Sequence, residues 1–164
     1  MNAAITASLV PQFLQTKYTA TITRAEYCAL TVALYEAITG QPIAERKTFS
    51  DTTDPNVQKL GGLGVVSGSG DGRFNPNGEF SRAEVAAMTV KLLDQLGQPL
   101  PPAAPTFADN ADVPAWARGA VGQVQAAGLM VGGGDNKFAP GVKYSRESAI
   151  VMSKILWEAY RGGQ

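Results

Sequence analysis

Histidine is absent from this sequence, cysteine occurs once, net charge is zero with 14 basic and 14 acidic side chains, and no apolar run approaches membrane length. Without histidine, the usual zinc sets, the Ser-His-Asp triad and the Cys-His nucleophile pair all fall away. A single cysteine cannot form an internal disulfide, and Cys28 stands in the apolar stretch YCALTVALYEAI, where a thiol is expected to pack as a small hydrophobe. Charge balance leaves no long-range field to draw in nucleic acid or an anionic membrane, so no nucleic-acid partner is expected and any anion recognition must be local. The first residues, MNAAITASLV, lack a basic region and a long apolar core, so neither a signal peptide nor membrane insertion is expected. What is present is 45% hydrophobic content over 164 residues, enough for one compact core.

The remaining information lies in repetition. GVVSGSGDGRFNPNGEFSRAEVAAM, residues 64–88, aligns without gaps on GLMVGGGDNKFAPGVKYSRESAIVM, residues 128–152, and TATITRAEYCAL, residues 19–30, is a third, partial copy. The repeated arginines Arg24, Arg82 and Arg146 stand 58 and 64 residues apart. Each complete unit reads as helix, glycine-rich loop, helix. Asp54 and Pro55 open one first helix and Pro114 another, while Gly40, Gly97 and Gly128 stop helices. The first unit, by contrast, has PQFLQTKYTAT where the loop should be, so the chain is expected to begin within or near its first helix.

Superposing the second helices aligns Leu30, Met88 and Met152, then Leu34, Leu92 and Leu156, Tyr35, Leu93 and Trp157, and Ile38, Leu96 and Tyr160. That spacing marks a helical face, so a mainly α fold is expected in which helix-loop-helix repeats share one helical core. The repeats are 1–46, 47–104 and 105–164, and together they should fold as one cooperative domain, since two short helices cannot bury enough surface alone. The proline-rich segment GQPLPPAAPTFADN joins the last two as an extended spacer.

The pentad FSRAE contains a puzzle. Ser81 and Glu84, like Thr23 and Glu26, suit a capping box, and the apolar residues Ile22, Phe80 and Tyr144 suit a staple against Tyr27, Val85 and Ala149. Ser148 replaces the glutamate in the third copy and cannot close the box in that way. Yet an arginine in the first turn opposes the helix dipole by about 0.3–1 kcal/mol. Two partners would compensate it equally well: an acidic side chain of a neighbouring repeat, with Asp51, Asp71, Asp109 and Asp135 near the same junctions, or a bound anion held by the guanidinium and the free N–H groups of the helix start.

The motifs FSD at residues 49–51, FADNADVPAWA at 107–117, the two aligned loop-helix stretches and ITRAE at 22–26 together resemble the surface-layer homology (SLH) modules of bacterial cell-surface proteins. The resemblance covers nearly the whole chain. It implies a pseudo-threefold spindle of three modules whose grooves bind anionic, often pyruvylated, secondary cell-wall polysaccharide, making the chain a noncovalent anchor at the outer face of the cell. Carried over by position, Arg24, Arg82 and Arg146 would hold the glycan carboxylate, with Asp51, Asp109, Trp116, Gly68 and Gly132 lining grooves. Cell-wall polysaccharide is the implied partner, and self-association through the surface of the spindle is a second.

Other readings fare worse. GSGDGRFNPNGEF has Asp71, Arg73, Asn75 and Asn77 at alternating positions, but Arg73 and Arg82 occupy positions where calcium ligation needs oxygen, so no metal is expected. A turn fits better, with Asp-Gly and Asn-Gly pairs supplying positive φ and Pro76 and Pro140 stiffening the exit. No Lys-Ser/Thr follows the glycines, which excludes a nucleotide loop, and no cofactor is expected. Phe74 and Phe138 are expected to be buried. The alternative to anchoring is a structural or self-assembly module without glycan binding. An enzyme, for instance a hydrolase pairing Asp109 with Glu84, is not expected, because those carboxylates sit at caps and turns.

Overall fold

The computed structural model describes residues 19–133 and 135–161. The expected first helix of the first repeat and the PQFLQTKY segment fall outside the described residues. Among those described, the chain is helical with only isolated β-bridges: α1 (Arg24–Thr39), α2 (Pro55–Gly62), α3 (Arg82–Gln95), a 3-10 turn (Asn110–Asp112), α4 (Ala115–Ala126) and α5 (Arg146–Tyr160).

The helix starts follow the capping chemistry. Thr23 and Ser81 accept from the N–H of Glu26 and Glu84, whose carboxylates in turn accept the N–H of Thr23 and Ser81. Ser145 accepts the Ser148 N–H in the same way, but Ser148 has no carboxylate with which to close a capping box. The six residues of the expected staples, Ile22, Phe80, Tyr144, Tyr27, Val85 and Ala149, are all buried. Asp54 caps α2 with Pro55 in its first turn, and Gly40 ends α1 in the left-handed region at φ 69°.

The described residues form two compact units. In the first, residues 19–79 with 145–161, α1 packs against both α2 and α5. Lys59 of α2 and the N–H of Ile43 both donate to Glu36 of α1, each at 2.8 Å. In the second, residues 80–144, α3 packs against α4. In both, the second helix of one repeat lies against the first helix of the next, so the packing pair is out of phase with the sequence repeat. Leu30, Met88, Met152, Leu34, Leu92 and Leu156 are all buried as the aligned faces require, whereas Tyr35, Trp157 and Tyr160 are only half-buried. Cys28 is fully buried, and burial above all, with the nearby Asp54, pushes its thiol well above its ordinary range against the opposing pull of Arg24.

Each first helix is crossed by the segment before it at a glycine. A side chain at Gly62 would overlap the backbone of Arg46, and one at Gly122 would overlap the carbonyl of Ala103. The proline-rich connector is extended, as expected, and is strapped to α4. Gln123 donates to the Leu100 carbonyl at 2.9 Å, and Gln125 accepts the Thr106 N–H at 2.8 Å.

Candidate functional site

The turn that follows each aromatic-x-Asp motif holds the repeated arginine, and its construction starts from a carboxylate. Asp51 accepts the successive N–H groups of Phe74 and Asn75, both at 2.8 Å, and Asp109 accepts those of Phe138 and Ala139 at 2.8 and 2.9 Å. Two adjacent N–H groups can converge on one carboxylate when the backbone turns left-handed, and Asn75 (φ 62°) and Ala139 (φ 57°) do so, each just before a proline. This corrects the expectation for the loop. Gly72 of the Asp-Gly pair has positive φ, but neither Asn77 nor Gly78 of the Asn-Gly pair does, because the clasp needs the left-handed residue two or three positions earlier. The N–H of Phe74, then that of Asn75, holds the Asp51 carboxyl below the usual range. Desolvation pushes Asp109 up, and the N–H groups of Phe138 and Ala139 more than reverse it.

Phe74 and Phe138 are fully buried, each at a ring-centre distance of 5.2 Å from the aromatic residue of the preceding motif, Phe49 or Phe107. Gly68 and Gly132 allow this layering: a side chain at Gly132 would come within 3.0 Å of the Phe107 ring, and one at Gly68 would overlap the Arg73 carbonyl. The structure thus gives Asp51, Asp109, Gly68 and Gly132 building roles in the loop.

The arginine of one repeat lies across this loop of the next. Arg24 donates through Nε to the Phe74 carbonyl at 2.8 Å and through Nη2 towards the Ser67 carbonyl at 3.4 Å, with its guanidinium 4.6 Å from the centre of the Phe74 ring. Arg82 repeats the arrangement on Phe138 at 2.8 Å and Val131 at 2.9 Å, with its guanidinium 4.7 Å from the Phe138 ring. Cation–π contact and carbonyl dipoles therefore offset the unfavourable first-turn charge.

The backbone follows the same path. The N–H groups of Arg24 and Ala25 donate to the carbonyls of Gly78 and Pro76, and those of Arg82 and Ala83 to Val142 and Pro140, at 2.7 to 3.1 Å. The expectation of free N–H groups at the helix start is thereby overturned for α1 and α3. The next loop's carbonyls occupy them.

The third arginine differs. Arg146 Nη2 donates to Glu26 Oε2 at 2.6 Å, and its backbone N–H donates to the Ala20 carbonyl at 2.9 Å. Both side chains of the pair are largely buried, at 14% and 18% exposure. Glu26 thus serves the cap of α1 with one oxygen and Arg146 with the other. Arg82 makes no ion pair among the described residues. It is half-buried, and burial chiefly lowers its pKa, opposed by Tyr144 and Asp109, yet an arginine remains cationic at neutral pH. Trp116, in the first turn of α4, is 62% exposed.

Sequence reasoning missed the phenylalanine carbonyls and faces as the arginines' platform, and Glu26 as the partner of Arg146. The co-occurrence of Phe-x-Pro and Ser/Thr-Arg in each unit is the trace the first leaves in sequence. The double use of Glu26 leaves none beyond the capping motif.

The S-layer homology domain family matches the chain over residues 49–86 and 106–150. The chain is similar to an endoglucanase of Bacillus sp. (strain KSM-635), 29% identical over 146 residues that cover 85% of this chain and 15% of that protein. It is also similar to S-layer protein sap of Bacillus anthracis, 32% identical over 140 residues, 80% of this chain and 16% of that protein. An S-layer protein of Bacillus thuringiensis subsp. finitimus is 31% identical over 140 residues, with the same coverage of 80% and 16%. The chain spans about one sixth of the length of these relatives. With the matched stretches making up half of the sequence and the same arginine-loop construction recurring in them, the chain belongs to the S-layer homology domain family.

Proposed function

We propose that this chain anchors a larger protein noncovalently to the bacterial cell wall by binding an anionic secondary wall polysaccharide, with Arg82 as the principal contact for a glycan carboxylate. Cell-surface location and wall association go with the family in general. The observation that carries the finer reading is the charge state of Arg82: its guanidinium is held in place by neutral carbonyls and an aromatic face, and no acidic side chain among the described residues neutralises it. A cation fixed in this way keeps bidentate capacity for an incoming carboxylate at little ordering cost. Arg24 is built on the same platform and is the second candidate contact. Arg146 would have to exchange Glu26 for the ligand. Trp116, exposed on α4, is proposed to add a stacking surface for a sugar ring.

The module itself is proposed to be non-catalytic, since the carboxylates nearest the arginines are engaged with backbone N–H groups or with Arg146. The endoglucanase that it resembles is about seven times as long as the matched stretch. The alternative of a purely structural module draws on one observation, the buried Arg146–Glu26 pair, which suits an internal fastening. Co-sedimentation with purified wall polymer separates the two. The wild type is expected to be retained, and Arg82→Ala to bind at least about tenfold more weakly, as loss of a charge-assisted contact implies. Equal retention of the two proteins would overturn the role of Arg82.

A further inference from the structure

The Asn-Gly pair at residues 77–78 adopts no positive φ, so turn geometry does not account for it. At the equivalent positions the third repeat has Gly141 and Val142, which lie in the same turn against Arg82, so the fold needs no asparagine there. Gly78 has a packing reason: a side chain would come within 2.5 Å of Asn75 Nδ2 and 3.1 Å of Arg24 Cδ. Asn77 has none. It is exposed, and its side chain makes no hydrogen bond among the described residues.

In water such a pair is chemically reactive, because the backbone nitrogen of the following residue can attack the asparagine amide carbon. Of the six asparagines only Asn77 precedes glycine, which puts no side chain in the way of that approach. Asn75 precedes a proline, which has no N–H to give up, and Asn136 precedes lysine and spends its amide on the Thr106 carbonyl at 3.1 Å. The Asp71-Gly72 pair is a poorer substrate. Its ionised carboxylate resists a nucleophile and accepts the Ser69 hydroxyl and the Arg73 N–H at 3.1 and 3.2 Å.

The surroundings of Asn77 act on the step in both directions. The carbonyls on either side, of Pro76 and Gly78, accept the N–H groups of Ala25 and Arg24 at 3.0 and 2.7 Å. The positive end of α1 thus lies against the peptide whose nitrogen must lose its proton, and favours the resulting anion. The Gly78 N–H, however, donates to the Asn75 carbonyl at 3.0 Å, so the turn must open first.

We infer that Asn77 is a site of spontaneous covalent modification, and that the product with a β-linked backbone releases the start of α1 from the loop of the second repeat. The Gly78 nitrogen bonds to Asn77 Cγ while the Cγ–Nδ2 bond breaks, and Nδ2 leaves as ammonia with the proton from Gly78. Water then opens the cyclic imide at either carbonyl. One opening gives aspartate and the other β-linked aspartate, whose main chain carries an extra methylene between the two carbonyls that hold Ala25 and Arg24. Both bonds cannot then keep their register. The junction at Arg82 has glycine at the corresponding position and is immune. This chemistry does not depend on what the arginines bind.

The test ages the folded full chain in mildly alkaline buffer beside a sample unfolded in urea. Residue 77 is followed by peptide mapping, with an isoaspartyl methyltransferase as the probe of the β-linkage. Amide exchange is read at Arg24 and Ala25, with Arg82 and Ala83 as controls in the same molecule. Conversion is expected at residue 77 before any other asparagine, about two- to tenfold slower in the folded chain, the effect of opening one hydrogen bond. In the β-linked fraction, exchange at Arg24 and Ala25 should quicken at least about fivefold, as loss of a hydrogen bond implies, with Arg82 and Ala83 unchanged. Asn77→Gly, which installs the third repeat's residue, should keep both junctions protected throughout. Asn77→Asp carries the new charge without the methylene and should also retain protection. A folded chain that keeps Asn77 intact while the unfolded chain converts overturns the inference. So do Arg24 and Ala25 amides that exchange no faster in the β-linked product, or an equal loss of protection in Asn77→Asp.

Discussion

Asp51 and Asp109 show how much one side chain organises here. Each carboxylate gathers two backbone N–H groups, which fixes the phenylalanine whose carbonyl and ring then hold an arginine from the preceding repeat. Protonation would remove the charge that makes these bonds strong. Both carboxyls are depressed below the ordinary 3.8 in the folded chain. Their contribution to stability is therefore complete above about pH 4, where the unfolded chain is already ionised, and is lost as pH falls through the depressed folded values. The acid limb of a plot of unfolding midpoint against pH is expected to flatten in Asp51→Asn/Asp109→Asn, with the variant's deficit greatest near neutrality. An unchanged acid limb would show that the clasps contribute nothing. Because Asp109 is only half-buried, its loss should be about 1 kcal/mol, well short of that for a fully buried charged bond.

At the scale of the element, α4 offers a contrast between two glycines. Gly122 lies where the connector crosses, and a methyl group there would overlap the Ala103 carbonyl, whereas nothing lies within 4 Å of a methyl at Gly119. Alanine favours a helix over glycine by about 1 kcal/mol, so Gly119→Ala should stabilise by up to that amount. Gly122→Ala should destabilise by about 1–3 kcal/mol as overpacking outweighs propensity. Denaturant unfolding of the pair checks this, and shifts of the same sign would contradict the close crossing. The helices themselves were legible in sequence, because capping residues, staples and apolar spacing are local and each copy restates them. The left-handed turn at Ala139 was not, since alanine carries no local preference for that region and only the distant carboxylate of Asp109 demands it. The arginine's purpose was half legible: its misfit with the helix dipole could be read from FSRAE, but the carbonyls that resolve it lie about 50 residues away.

For the molecule as a whole, the pairing of helices across repeat boundaries matters most. α1 supports both α2 and α5, so no sequence repeat owns its packing partner. Removal of residues 1–46 is expected to strip hydrogen-exchange protection from α2 and α5, although neither helix is cut. Protection in α5 equal to that of the full chain would show that the repeats stand alone. The Thr21–Ser145 bridge, the Arg146 N–H bonded to Ala20 and the Arg146–Glu26 pair fasten the first and third repeats directly to each other. An unequal crossover that inserted another unit into the gene would therefore lengthen the polypeptide, but the newcomer could not come between the first and third repeats unless that existing seam were broken and rebuilt around it.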